Sequence, residues 1–167
     1  MIETIVIRER GATPRKLRKA HNAAAKEAWP DAGEHWFGEI RPKHFTAAGA
    51  REYGYHQRKG EGQSGHRFDR SYTGRKLKKF GHTNPLEYSG ESKRRTEQGR
   101  VSATARGARV VMNAPALNFK HPKSRIVMRA ELAAISRGDA EDVGRVFDRS
   151  YDRGLKQFNE TTTTRVA

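Results

Sequence analysis

Histidine is the side chain best suited to holding a metal ion or moving a proton near neutral pH, and this chain has seven. Four of them, His44, His56, His66 and His82, fall in the middle of the chain. Zinc hydrolysis asks for two histidines one helical turn apart with a glutamate between, and no His-Glu-x-x-His spacing occurs. Without cysteine, thiolate-held zinc sites and a disulfide scaffold are both excluded, which fits a reducing compartment. Loop histidines in so polar a chain read as solvated or hydrogen-bonded. His21-Asn22 has the composition of a nuclease pair but falls inside an expected helix, without a strand-borne partner histidine. Ser89-Gly90-Glu91-Ser92-Lys93 lacks the flanking glycines and the strand-to-helix setting of a phosphate-cradling loop. Asp139, Glu141 and Asp142 fall in the first turns of an expected helix, where the helix dipole accounts for negative charge better than catalysis does. No catalytic residue, metal ligand or cofactor site is assigned, and the chain reads as a non-enzyme.

The basic residues are the remaining chemical signal. The chain carries a net charge of +15. From Arg67 to Arg129 there are 16 Lys/Arg against 4 Asp/Glu, so that region alone holds +12. Arg75, Lys76, Lys78 and Lys79 cover several faces of one expected helix, interleaved with Tyr72 and Phe80. Lys93, Arg94 and Arg95 follow a Ser-Gly turn, and Arg106 and Arg109 flank an expected hairpin beside Arg100. Such residues suit phosphate-backbone contacts that read no base sequence, or an acidic protein surface. A well-solvated basic face is the plainer alternative. No helix-turn-helix, RNA-recognition or zinc-finger signature frames them.

The elements that must position these residues follow from periodicity and caps. Met1 to Arg10 alternates as a short strand, Ile5 and Ile7 on one face and Ile2 and Val6 on the other, and lacks the apolar core of a signal peptide. Gly11-Ala12 breaks it, and Thr13-Pro14 opens a helix with an N-cap hydroxyl and a first-turn proline. Leu17, Ala20, Ala24 and Ala28 form its apolar stripe, thin enough for close approach of another element. Pro30 is expected to end or kink it. A second short helix carries Trp36, Phe37 and Ile40 until Pro42, and Thr46 caps a turn through Tyr53. Residues Gly60 to Gly65 read as a mobile loop, and Phe68, Tyr72, Leu77 and Phe80 as one helix, weakened by Gly74 and stopped by Gly81. After Pro85-Leu86 and the Ser-Gly turn a polar, strand-prone region is expected. Val101 to Asn113 reads as a β-hairpin about Arg106-Gly107, with another strand through Ile126 and Met128. Ser136-Arg137-Gly138-Asp139 is a capping box with aspartate in place of glutamate. The helix it opens keeps its period through Val143, Phe147, Tyr151 and Phe158 to about Asn159.

These elements predict one α+β domain over residues 1–160: a small mixed sheet with a β-hairpin, packed by an N-terminal and a C-terminal helix. A basic, loop-rich segment fills about 41–97, and a flexible tail follows from 161 to 167. Hydrophobic content is 34% and mean hydropathy −0.96, low for a self-sufficient globule, which points to ordering by neighbouring subunits. No apolar run approaches the roughly 18 residues of a membrane span.

The order of short motifs resembles the virion morphogenesis, or tail-completion, proteins of tailed bacteriophages. An N-terminal helix leads to His44-Phe45, then Tyr53-Gly54-Tyr55 with Arg58 nearby, then a basic helix. Gly81-His82, Pro85-Leu86 and Ser89-Gly90 come next, before a hairpin and a terminal helix opened by Ser136. The resemblance covers about Ala12 to Asn159. It departs at the Gly60 to Gly65 loop, and at Glu91, where an apolar residue more often follows the Ser-Gly pair. The resemblance implies a structural subunit of the virion neck, assembled in the host cytoplasm as a homo-oligomeric ring of roughly six or twelve copies. Portal or connector and tail proteins would be its partners, with non-specific contact to packaged DNA. The competing reading is a basic nucleic-acid-binding module for DNA packaging or RNA association, and a nuclease is a distant third.

Overall fold

The computed structural model describes residues 13–118, 120 and 124–163, the side chains as far as residue 157. The strand expected at Met1–Arg10 lies outside the described residues, as do the last four of the tail.

The N-terminal helix starts where the cap predicts. Thr13 Oγ1 accepts from the Lys16 amide, and Pro14 opens α1 (Pro14–His35). Pro30 does not end it. The helix runs on through a π-helical turn at Trp36–Ile40 into α2 (Arg41–Lys43), so the expected second helix is a continuation of the first. A proline inside a helix removes one backbone donor and crowds the preceding turn, and packing along the whole length outweighs that cost.

That packing comes from α8 (Arg137–Thr163), the longest helix, which reaches four residues past the expected end at Asn159. It runs antiparallel to α1: Lys43 meets Asp139 at one end, and His21 and Ala24 meet Tyr151 and Gly154 at the other. Ala20, Ala24, Ala25, Ala28 and Ala32 are all buried on α1, whereas Leu17, the first residue of the expected stripe, is exposed outside the packed face. A Cβ on Gly154 would stand 3.0 Å from Ala24 Cα, and its absence lets the backbones approach closely. Trp29 on Phe147, with ring centroids 4.5 Å apart, fills the wider part of the seam.

The hairpin pairs β1 (Arg100–Thr104) with β2 (Gly107–Val111), antiparallel, with Val101 opposite Val110 and Ala103 opposite Ala108. These four share the face turned toward α1. A Cβ on Gly33 would lie 2.6 Å from Val101 Cγ1, so only glycine there admits the hairpin. The protein is α+β, and among the described residues the sheet is this antiparallel pair alone.

The basic centre is short helices: α3 (Ala47–Glu52) capped by Thr46, α4 (Gly65–Arg70), α5 (Tyr72–Phe80) and α6 (Glu91–Glu97). Three expectations are corrected here. The single helix expected through Phe68 and Phe80 breaks at Ser71, whose hydroxyl caps α5 at the Gly74 amide; a side chain on Gly74 would collide with the Phe68 carbonyl. The polar region after Ser89-Gly90 is α6, whose first residue Glu91 accepts from Arg94 and Arg95 and sits at the favourable end of the helix dipole. The strand expected through Ile126 and Met128 is α7 (Met128–Leu132), preceded by irregular chain. At the start of the Gly60–Gly65 loop Gly60 is buried against Ser71, and the Lys59 carbonyl just before it accepts from the Thr73 amide, while residues 62–65 are exposed. A small core of Phe45, Leu86, Ala114, Leu117 and Leu132 joins these pieces, with Tyr55, Met112 and Met128 against it.

Candidate interaction surface and the polar hub behind it

The motifs of the central segment meet in a buried polar hub. His44 follows α2 directly and is fully buried, its ring stacked on Tyr53 with centroids 3.9 Å apart and planes 6° from parallel. Tyr55 Oη donates to the Glu131 carbonyl at 2.9 Å and stands 2.5 Å from His44 Nδ1. A tyrosine hydroxyl has one proton, so His44 donates from Nδ1 and its Nε2 is left as a bare acceptor. That Nε2 is buried without a partner among the described residues. Burial lowers the His44 pKa from 6.5 to about 4, outweighing the opposite pull of Asp139, so the ring is neutral.

Asp139, 1% exposed, gathers the other side of the hub. It accepts from Lys43 Nζ at 2.7 Å, Tyr53 Oη at 2.7 Å and Ser136 Oγ at 2.9 Å. Burial works to raise its pKa, but these three donors prevail and bring it to about 2. The Ser136 cap thus forms as the sequence predicts, since Asp139 N also donates to Ser136 Oγ. The structure adds that the same aspartate ties α8 to α2 and to Tyr53. Glu131 takes Arg58 in a two-pronged pair at 2.7 and 2.5 Å, both side chains largely buried. Glu131 and Lys43 are the hub members that sequence reasoning missed; neither stands in a motif that marks it off from its neighbours.

In front of the hub lies an open cleft of about 1040 Å³. Helix α5 forms one wall with Tyr72, Arg75 and Lys76, the 84–88 turn another, and Arg125, Ile126 and Met128 a third. Lys76 is 4% exposed and donates to the Asn84 carbonyl; burial brings its pKa down to about 8 against the opposing pull of Glu87. Tyr72 and Tyr88 stack on each other with centroids 5.8 Å apart. Leu86, at the floor, has φ 54°, the left-handed region that costs a branched side chain about 1–3 kcal/mol.

The predicted basic residues separate into distinct places. Arg75 and Lys76 line the cleft, whereas Lys78 and Lys79 lie exposed outside its lining, Lys79 over the Phe80 ring. Arg94 and Arg95 are held by Glu91 at 2.8 and 2.6 Å, with Lys93 half-buried on the same helix. Arg106 is in the hairpin turn, and Arg109 shares with Arg100 and Ser102 the hairpin face turned away from α1. Arg58, Lys59 and Arg125, absent from the prediction, join Arg75 and Lys76 at the cleft.

His21 Nδ1 lies 2.6 Å from Tyr151 Oη, within hydrogen-bond distance across the α1–α8 seam. Among the described residues no three histidine or carboxylate side chains converge as a metal site, and no helix is long and apolar enough to cross a membrane. What the arrangement offers chemically is a cation-rimmed cleft with apolar walls and, among the described residues, a two-stranded sheet with no further strand on either edge. Comparison with protein-family models, curated proteins and solved structures finds no match to this chain.

Proposed function

We propose that this chain is a non-enzymatic structural subunit of a tailed-bacteriophage neck, a tail-completion protein whose copies close into a ring around the DNA channel. The observation that carries the reading is the hairpin. Two strands alone are marginal in water, and among the described residues neither outer edge of the pair carries a further strand. A neighbouring copy that adds its own strands would extend the sheet there, and head-to-tail repetition of that contact closes a ring when the rotation allows it. The core supports the same reading. Among the described residues six of the eleven buried hydrophobic residues are alanines, each contributing about one methyl, or ~0.8 kcal/mol, of apolar stabilisation. Portal and tail proteins are the heterologous partners on this reading, and the virion is its location.

A nucleic-acid-binding module is the second reading, favoured by the outward face carrying Arg100 and Arg109. Native mass spectrometry of the purified chain, alone and with neighbouring virion proteins, separates the two. Closed oligomers or incorporation into particles is the expected result. A persistent monomer whose DNA affinity falls steeply with salt would overturn it in favour of the second.

A further inference from the structure

The cleft between α5 and the 84–88 turn is not needed for ring closure, and it has its own chemistry. We propose that it is a docking groove for an extended acidic segment of a partner protein. An aliphatic side chain would seat against Leu86, Ile126 and Met128, and carboxylates would meet Lys59, Arg75 and Arg125.

Size is the first argument. At about 1040 Å³ and open to solvent, the cleft is at the upper end of small-ligand sites and fits a length of chain. Charge is the second. Five Lys/Arg side chains line it against the single carboxylate of Glu87. Two of the five are committed internally, Arg58 to Glu131 and Lys76 to the Asn84 carbonyl. Lys59, Arg75 and Arg125 are exposed and have no carboxylate partner among the described residues, so they are free to meet an anion. The walls give the third. Pro85, Leu86, Ala116, Ile126 and Met128 make an aliphatic surface, complementary to leucine or valine rather than to a base. The two tyrosines stack on each other instead of standing apart to sandwich bases, which disfavours single-stranded nucleic acid. Finally, the left-handed backbone at Leu86 turns the chain so that Glu87 and Tyr88 stand in the wall; strain held by surrounding packing is a feature of binding sites.

The test uses the full chain and fluorescence anisotropy with three labelled probes: an eight-residue peptide alternating aspartate and leucine, its aspartate–serine counterpart, and a twelve-nucleotide oligothymidine. Saturable binding of the aspartate–leucine peptide is expected, with the serine version weaker by about tenfold or more, the ~1.4 kcal/mol that burying leucine side chains readily supplies. R75E/R125E should abolish binding of both peptides, whereas K78E/K79E, outside the cleft, should leave binding and the leucine preference intact. Methionine-methyl NMR locates the site, because among the described residues Met128 lines the cleft and Met112 does not. The peptide should shift Met128 and leave Met112 in place. Equal affinity for both peptides, loss of binding with K78E/K79E alone, or tighter binding of oligothymidine would each overturn the proposal. The inference is independent of the neck reading: a monomer that binds the peptide would sink the ring alone, and a ring that ignores the peptide would sink the groove alone.

Discussion

His44 and Asp139 sit on opposite sides of Tyr53, and each makes the fold sensitive to acid in its own range. The unfolded chain protonates histidine near pH 6.5, whereas burial holds folded His44 neutral down to about 4, so the unfolded state binds the proton more readily between those values. Stability from this site is whole above pH 6.5 and is lost as pH falls toward 4, by about 3 kcal/mol in total. Asp139 adds a second loss between pH 3.8 and about 2, since its folded pKa lies below the unfolded one. Urea titrations at pH 7, 5.5 and 4.5 should show a falling midpoint in the native chain. In H44Q, which has nothing to titrate at that position, this first leg should flatten; an equal slope in both proteins would refute the assignment. Glu131 makes a sharper case. E131Q leaves the Arg58 guanidinium largely buried without its countercharge, and the expected loss is about 3–5 kcal/mol by chemical denaturation at pH 7. A loss below about 1 kcal/mol would mean the pair behaves as an exposed one.

Helices α1 and α8 meet through methyl groups and a glycine, so their spacing is set by what is missing. Ala24 Cβ lies 3.0 Å from where a Cβ on Gly154 would be, and Ala24 itself is 1% exposed. A24L should therefore push the helices apart and cost about 1–3 kcal/mol through overpacking, although leucine is a good helix former. Thermal unfolding by circular dichroism reads this, with L17A as the control. Leu17 is 58% exposed, so its truncation should leave the midpoint nearly unchanged. Pro30 shows the same logic from the other side. Local propensity argues for a stop, yet Trp29, Ala28 and Ala32 around it are all engaged, and tertiary burial carries the helix through.

The molecule as a whole is poorly supplied with apolar surface and well supplied with charge, and its hairpin ends without a third strand among the described residues. If copies add their strands to the edges of that hairpin, side chains of the joined strands stand side by side on each face, so a charge added to the outward face should oppose the joining without touching the fold. Val111 is 41% exposed on the face shared with Arg100 and Arg109. V111K should leave the helical signal and the unfolding midpoint unchanged, while sedimentation velocity shows a shift from the assembled form to monomer. Unchanged assembly in V111K would rule out strand addition at this hairpin as the contact.

Legibility divides along the range of the interaction. Thr13-Pro14, Thr46, Gly81 and Ser136 mark real helix ends because a cap is a matter of a few neighbouring residues, and the Val101–Val110 hairpin is legible because alternation and a tight turn are local too. The alanine stripe foretold close approach for the same reason, though not which helix would approach. At Pro30 contacts far along the sequence prevailed over the local stop signal, whereas the break at Ser71 is itself local, a serine cap on the Gly74 amide three residues on. The cleft and the hub were beyond reading from residue order. Glu131 meets Arg58, and Asp139 meets Lys43, only after the intervening helices have folded back, so their partners were set by long-range packing.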